Sequence, residues 1–292
     1  MTATPQQHRR AILTMVVAAF LWSIAGVFTR HLDSARSFEV TFWRSLFCAL
    51  TMIAWFAYTQ GWGAIAYVRA SGKAGLVSGL MWAVMFTCFM IALTMTSTAN
   101  VLIVNALSPL FATLLAWFVL KTFIPARTWL AIAAAMVGMM IMFAKQAEGG
   151  AGVWLGMIVA FGVPVASAIN LVTLKKTHAH VDLAPAVLIG ALISCAVTLP
   201  LSMPFSATEK DVLLLAILGI FQLGIPCVMM VRASAHLSAP EVALLGLLEV
   251  LMGPLWSWLG AGEVPPGTTL VGGAIVLAAL VANEVVPKAR AV

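Results

Sequence analysis

The sequence predicts an all-α integral membrane protein of ten transmembrane helices, laid out as two inverted five-helix repeats. Three observations predict it. The composition is too apolar for a water-facing surface, ten apolar stretches have the length of a membrane span, and a weak internal repeat returns after an odd number of spans.

Of 292 residues, 62% are hydrophobic and only 9% are charged, whereas a soluble domain carries about 25% charged residues. A bilayer core is roughly 30 Å thick and takes about 20 apolar residues of helix to cross. Breaking the chain at charges, prolines and glycines gives ten such segments: 11–30, 38–58, 74–97, 100–120, 127–144, 153–174, 183–203, 211–233, 240–261 and 267–286. The first follows MTATPQQHRR and stays apolar to Phe28. That exceeds the apolar run of a cleaved signal peptide, so it is expected to be a retained helix. The remaining segments are read as helices because irregular or open-edged strand backbone in lipid leaves amides unpaired. The apolar–polar alternation of an outer-membrane barrel is missing.

Lys and Arg assign the sides. Eleven lie at one set of alternate loops (Arg9, Arg10, Arg69, Lys73, Lys121, Arg127, Lys175, Lys176, Arg232, Lys288, Arg290) and four at the other (Arg30, Arg36, Lys145, Lys210). That second side also holds Asp33, Glu39, Glu148, Glu209, Asp211 and Glu263. The positive-inside rule then places both termini in the cytoplasm. The net charge of +6 is spread over these loops, which argues against a nucleic-acid partner.

The repeat aligns TSTANVLIVNALSPLFATLLAWFVLKTFIP (96–125) with LSAPEVALLGLLEVLMGPLWSWLGAGEVPP (237–266). Each copy is followed by an Ala/Gly-rich helix, 131–143 or 272–282. Five spans per copy would insert the second upside down, a common transporter construction. The expected units are 1–145 and 152–292, joined by a linker at 146–151.

These residues resemble the EamA branch of the drug/metabolite transporter superfamily over nearly the whole chain. The resemblance rests on AAFLWSIAGVFTRHL in the first helix and the Arg within FWRSLFCAL in the second. It continues through FMIALTMTSTANVLIVNALSPLFATLLAWFVL and ends on GAGEVPPGTTLVGGAIVLAAL. The first copy departs from the pattern, with LKTFIP where the family often has a Gly-Glu pair. Within the family, the chain is most similar to bacterial aromatic amino acid exporters. The resemblance implies ten helices around a central cavity, a location in the bacterial inner membrane, and export of aromatic amino acids and related small metabolites by alternating access. It implies no cofactor and no catalytic residues, and leaves monomer and homodimer open.

Candidate binding residues are the polar and bulky groups inside apolar spans. Glu249 sits nine residues past Pro240, roughly 13 Å deep at 1.5 Å per residue. An acid there points to proton coupling or to a substrate ammonium, with a structural hydrogen bond as the alternative. Asn105, Asn170 and Gln222 are suited to hydrogen bonds with substrate or with neighbouring helices. Trp22, Trp82, Phe86 and Phe89 offer stacking on an aromatic solute, or ordinary packing. Arg44, six residues into its helix, is suited to a carboxylate, but outward snorkelling is the expected behaviour. Trp43, Trp55, Trp62 and Trp129 are expected in the interfacial belt. Pro164 and Pro226 are candidate flex points or static kinks. Gly75-x-x-x-Gly79 and Gly152-x-x-x-Gly156 read as helix packing, and the last helix of each half reads as scaffold.

Cys48, Cys88, Cys195 and Cys227 fall in apolar segments without metal-site spacing. His8, His31, His178, His180 and His236 lie at or beyond span ends. An intramembrane enzyme needs clustered His, Asp or Cys, and a channel needs charge rings or a filter loop. Neither pattern is present. Nucleotide-linked sugars call for several deep cations to meet their phosphates, and Arg44 alone lies deep.

Overall fold

The structure is a computed structural model that describes residues 5–121, 126–144, 151–176, 183–234, 236–237 and 239–285, all in helices and their connecting turns. Residues 146–150 of the expected linker, His178, His180 and Pro125 lie outside the described residues. The element order is α1 (Pro5–Ser23), α2 (Ala25–Thr29), α3 (Ser37–Gln60), α4 (Ala64–Ala70), α5 (Gly72–Met95), α6 (Thr98–Ala106), α7 (Ser108–Leu120), α8 (Ala126–Ala144), α9 (Ala151–Ala160) and α10 (Gly162–Lys176). It continues with α11 (Leu183–Ser202), α12 (Glu209–Ile217), a π-helical segment (Leu218–Gly224), α13 (Ile225–Ser234), α14 (Ala239–Ala261) and α15 (Gly267–Val285). By length and composition, seven helical stretches among the described residues can cross a membrane. Three shorter apolar helices accompany them: Ala126–Ile141, Leu245–Ala261 and Gly267–Asn283.

The interruptions have local causes. Leu107 separates α6 from α7 just before Pro109, whose missing N–H cannot complete a continuous ladder. Phe161 separates α9 from α10 three residues before Pro164. Pro226 cannot donate to the carbonyl of Gln222, and the chain ahead of it widens into the π-helical segment. One segment was not foreseen: the run after Gln60 turns through Gly61–Gly63 and becomes helical again as α4.

Packing interleaves distant parts of the chain. The first helix, α1, lies against α13 and α14, while α3 lies against α11 and the π-helical segment. In the same layer α5 contacts α9, α10 and α11, and α10 also contacts α7. The scaffold expectation concerns α8 and α15, which pack chiefly on one another. In the two small-residue motifs, a side chain at Gly79 would sit 2.7 Å from Cβ of Ile189, and one at Gly156 would sit 2.7 Å from Cβ of Met95. These glycines set the close approach of α5 to α11 and of α9 to α5. Leucines 13, 76, 130, 155, 192 and 251, on six different helices, stay exposed on the outer surface, as lipid contact requires. The chain is a membrane protein.

One end of the bundle is closed by buried carboxylates that clasp backbone amides. Asp211 accepts from the amides of Asp33 (2.7 Å), Ser34 (3.0 Å) and Ala35 (3.1 Å), and closes a capping box with Thr208. Glu39 accepts from the amides of Ser206 (3.0 Å) and Ala207 (2.8 Å). Both acids are fully buried. Such arrays suit an ionised carboxylate, because every accepted bond is charge-assisted.

Candidate solute site

Arg44 is the organising residue, and here the structure corrects the sequence reading. It does not snorkel outward: it is 2% exposed, and its Nε donates to Oε1 of Gln222 at 3.0 Å. Gln222 is equally buried, and its own amide nitrogen donates to the backbone carbonyl of Trp22 at 3.2 Å. The π-helical segment makes this contact possible. A Cβ at Gly219 would lie 2.6 Å from the Arg44 carbonyl and 2.5 Å from Cβ of Phe47. Only glycine lets the segment close on α3 and bring Gln222 to the guanidinium.

Aromatic rings complete the surroundings. The Arg44 guanidinium carbon stands 5.9 Å from the ring centroid of Phe86 and 5.8 Å from that of Phe89, within cation–π range. Trp82 lies against Phe86 at 5.4 Å between centroids, and its buried indole N–H has no hydrogen-bond partner. Glu249, half-buried on α14, interacts electrostatically with Arg44, and no ion pair within 4.0 Å joins them.

Four of the eight expected residues are thus linked directly to Arg44: Phe86, Phe89, Gln222 and Glu249; Trp22 joins through its backbone carbonyl, which accepts from Gln222. Trp82 joins through Phe86. The other two stand apart. Asn105 serves the break after α6, accepting from the Ser108 hydroxyl on its backbone oxygen at 2.7 Å. Asn170 is buried on α10 with its Oδ1 unpartnered. Arg44 is the residue that links them, although the sequence points it outward. Its signal was present as the one cation deep in a span, but its direction depends on a partner 178 residues away.

A cavity of about 780 Å³ opens towards the end opposite the carboxylate clasps. Arg10, Arg232 and His236 stand in its lining with Trp55, and its wall includes Gly224 and Thr51. Gly224 is two residues from Gln222, and Thr51 is two helical turns, about 10 Å, from Arg44. Trp55, expected in the interfacial belt, instead faces this cavity under the Arg232 guanidinium at 4.5 Å. Trp43 packs among Phe42, Phe47 and Phe205, and Trp62 and Trp129 are exposed.

At the closed end Arg30 donates to Oε2 of Glu263 (2.8 Å) and to the carbonyls of Leu93 (2.8 Å) and Thr96 (2.6 Å). Glu263 also accepts from the Thr98 amide (2.7 Å) and hydroxyl (2.9 Å). This knot ties the end of α2 to the turn before α6 and to the loop after α14. The four cysteines are free thiols, two of them fully buried. Among the described residues no group of three metal-ligating side chains occurs.

Comparison with known proteins identifies the family. A pseudopaline exporter of Pseudomonas aeruginosa is 24% identical over 280 residues, covering 94% of this chain and 95% of that protein. An S-adenosylmethionine uptake transporter of Rickettsia prowazekii is 23% identical over 260 residues, covering 88% of this chain and 86% of its own length. A solved crystal structure shares the fold, with a TM-score of 0.65 at 19% identity over 94% of this chain and 96% of that one. Two stretches, residues 9–144 and 154–283, match the EamA-like transporter family. The chain belongs to that family, and it is a transporter rather than an enzyme.

Proposed function

We propose that the protein is a secondary transporter of the bacterial inner membrane that exports aromatic amino acids and related small metabolites by alternating access. The observation that carries this reading is the pair of buried rings, Phe86 and Phe89, beside the Arg44 guanidinium, with Trp82 against Phe86 and a cavity of about 780 Å³ nearby. Apolar walls with a few placed polar groups suit a small amphipathic solute. In this reading ten helices form two oppositely inserted halves, 1–145 and 152–292, with both termini in the cytoplasm. The cavity end carries Arg10, Arg69 and Arg232, which the positive-inside rule assigns to the cytoplasm. The clasped end faces outward. A solute enters from the cytoplasm, the Arg30–Glu263 knot opens, and the solute leaves on the far side. Pro226 and the π-helical segment supply the flexing element in α13.

The two named relatives favour a second reading, in which the solute is a larger metabolite. They also differ in direction, one named for export and one for uptake. Efflux from cells separates these readings. Cells expressing the chain, loaded with labelled phenylalanine, tryptophan or S-adenosylmethionine, should lose the aromatic amino acids faster than cells without it. Faster loss of S-adenosylmethionine alone would favour the second reading, and equal loss of all three would overturn the first.

A further inference from the structure

Arg44 holds an unfinished set of hydrogen bonds. A guanidinium has five N–H donors and no acceptor. Nε is used by Gln222, while Nη1 is fully buried and has no partner. Buried charged donors are paired in native structures, because an isolated one forfeits its hydration. A carboxylate is within electrostatic reach on α14, yet Glu249 does not close to ion-pair distance and accepts no hydrogen bond from the described residues. Arg44 and Glu249 thus interact electrostatically without closing to ion-pair distance, with Phe86 and Phe89 beside the guanidinium.

We propose that these two residues form a zwitterion clamp: Arg44 Nη1 donates to the α-carboxylate of the solute, and Glu249 accepts from its ammonium. The clamp deepens the export reading, on which it rests, by naming the solute class as a free α-amino acid. Gln222 acts as a positioning residue. By occupying Nε, and by being tied itself to the Trp22 carbonyl, it holds the guanidinium with its Nη edge free. The aromatic rings meet the solute side chain. An amino acid bound here completes the donors of Arg44 and places a cation against Glu249, so both residues stay compensated while the solute is occluded.

The test is equilibrium binding to the purified full chain in detergent, with three compounds that share one ring. L-Phenylalanine carries both charges, phenylethylamine lacks the carboxylate, and 3-phenylpropionate lacks the ammonium. The wild type should bind phenylalanine at least about tenfold more tightly than either analogue, the size of a lost charge-assisted pair. Arg44→Gln should weaken phenylalanine by a similar factor and leave phenylethylamine unchanged. Glu249→Gln should weaken phenylalanine and leave 3-phenylpropionate unchanged.

Equal binding of phenylethylamine and phenylalanine by the wild type overturns the clamp without any variant, so a poorly folded Arg44→Gln protein does not block the test. Equal weakening of all three ligands by Arg44→Gln assigns Arg44 a purely structural role and also overturns it. If the wild type ignores aromatic amino acids but binds S-adenosylmethionine or an aliphatic amino acid in an Arg44-dependent way, the aromatic export reading falls and the clamp stands. Aromatic transport that is indifferent to the carboxylate has the opposite meaning. Binding of no α-amino acid at all overturns both.

Discussion

Removing Glu263 should release the closed end. Its carboxylate accepts three hydrogen bonds, from Arg30 Nε at 2.8 Å and from the amide and hydroxyl of Thr98 at 2.7 and 2.9 Å. Hydrogen bonds to charged groups contribute about 1.5–3 kcal/mol each when buried. The Arg30 and Glu263 side chains are 26% and 17% exposed, and solvent screening reduces this to about 1 kcal/mol per bond. Glu263→Ala therefore forfeits about 3 kcal/mol from the closed arrangement, close to a 100-fold shift at 1.4 kcal/mol per factor of ten. A closed-to-open ratio of about 100:1 would fall to about 1:1. Val153 lines a small cavity beside this knot, so a Val153→Cys label site in a background without the four native cysteines reports opening. A membrane-impermeant maleimide should label it many-fold faster in Glu263→Ala, with Glu263→Gln intermediate because an amide oxygen still accepts from Thr98. Equal labelling rates in all three proteins would refute the idea that the knot holds this end shut.

Other substitutions separate structure from transport. Asp211→Ala removes the acceptor of three part-buried loop amides and one capping amide; at about 1 kcal/mol per lost bond it should lower stability by about 4 kcal/mol, and an unchanged melting temperature in detergent would contradict the clasp. Gly219→Val pushes a side chain against the α3 backbone, where overpacking costs about 1–3 kcal/mol; both the melting temperature and transport should fall, and wild-type transport would show that the Arg44–Gln222 contact is dispensable. A Cβ at Gly138 would lie 2.6 Å from the Gly272 carbonyl, so Gly138→Leu should destabilise the α8–α15 pair while leaving solute preference intact. A changed preference would bring that pair into the pathway.

Much of the arrangement was legible from polar residues that interrupt apolar runs. Gln222 and Glu249 stand out because burying such groups in lipid is expensive without a purpose, and both lie beside Arg44. The ring cluster on α5 follows from the spacing of Trp82, Phe86 and Phe89, which keeps them on nearby turns. What was not legible depends on partners far along the chain. The sequence alone points Arg44 outward, because a long cationic side chain near a span end normally reaches water. Gln222, delivered by a glycine and a π-helical segment, reversed that preference. The acids Glu39, Asp211 and Glu263 read in sequence only as loop charges marking one side. Their work is with backbone amides, which carry no sequence signature. Asn105, a polar residue mid-span, lies at the turn that Pro109 makes necessary, where its backbone oxygen accepts from the Ser108 hydroxyl.

Counterflow in liposomes tests the central claim most directly. Vesicles containing the purified chain are loaded with unlabelled phenylalanine and diluted into a trace of labelled phenylalanine. A carrier that exposes one aromatic amino acid site to each side in turn predicts a transient accumulation of label, which excess tryptophan outside abolishes. A flat trace, matching vesicles without protein, would contradict the account.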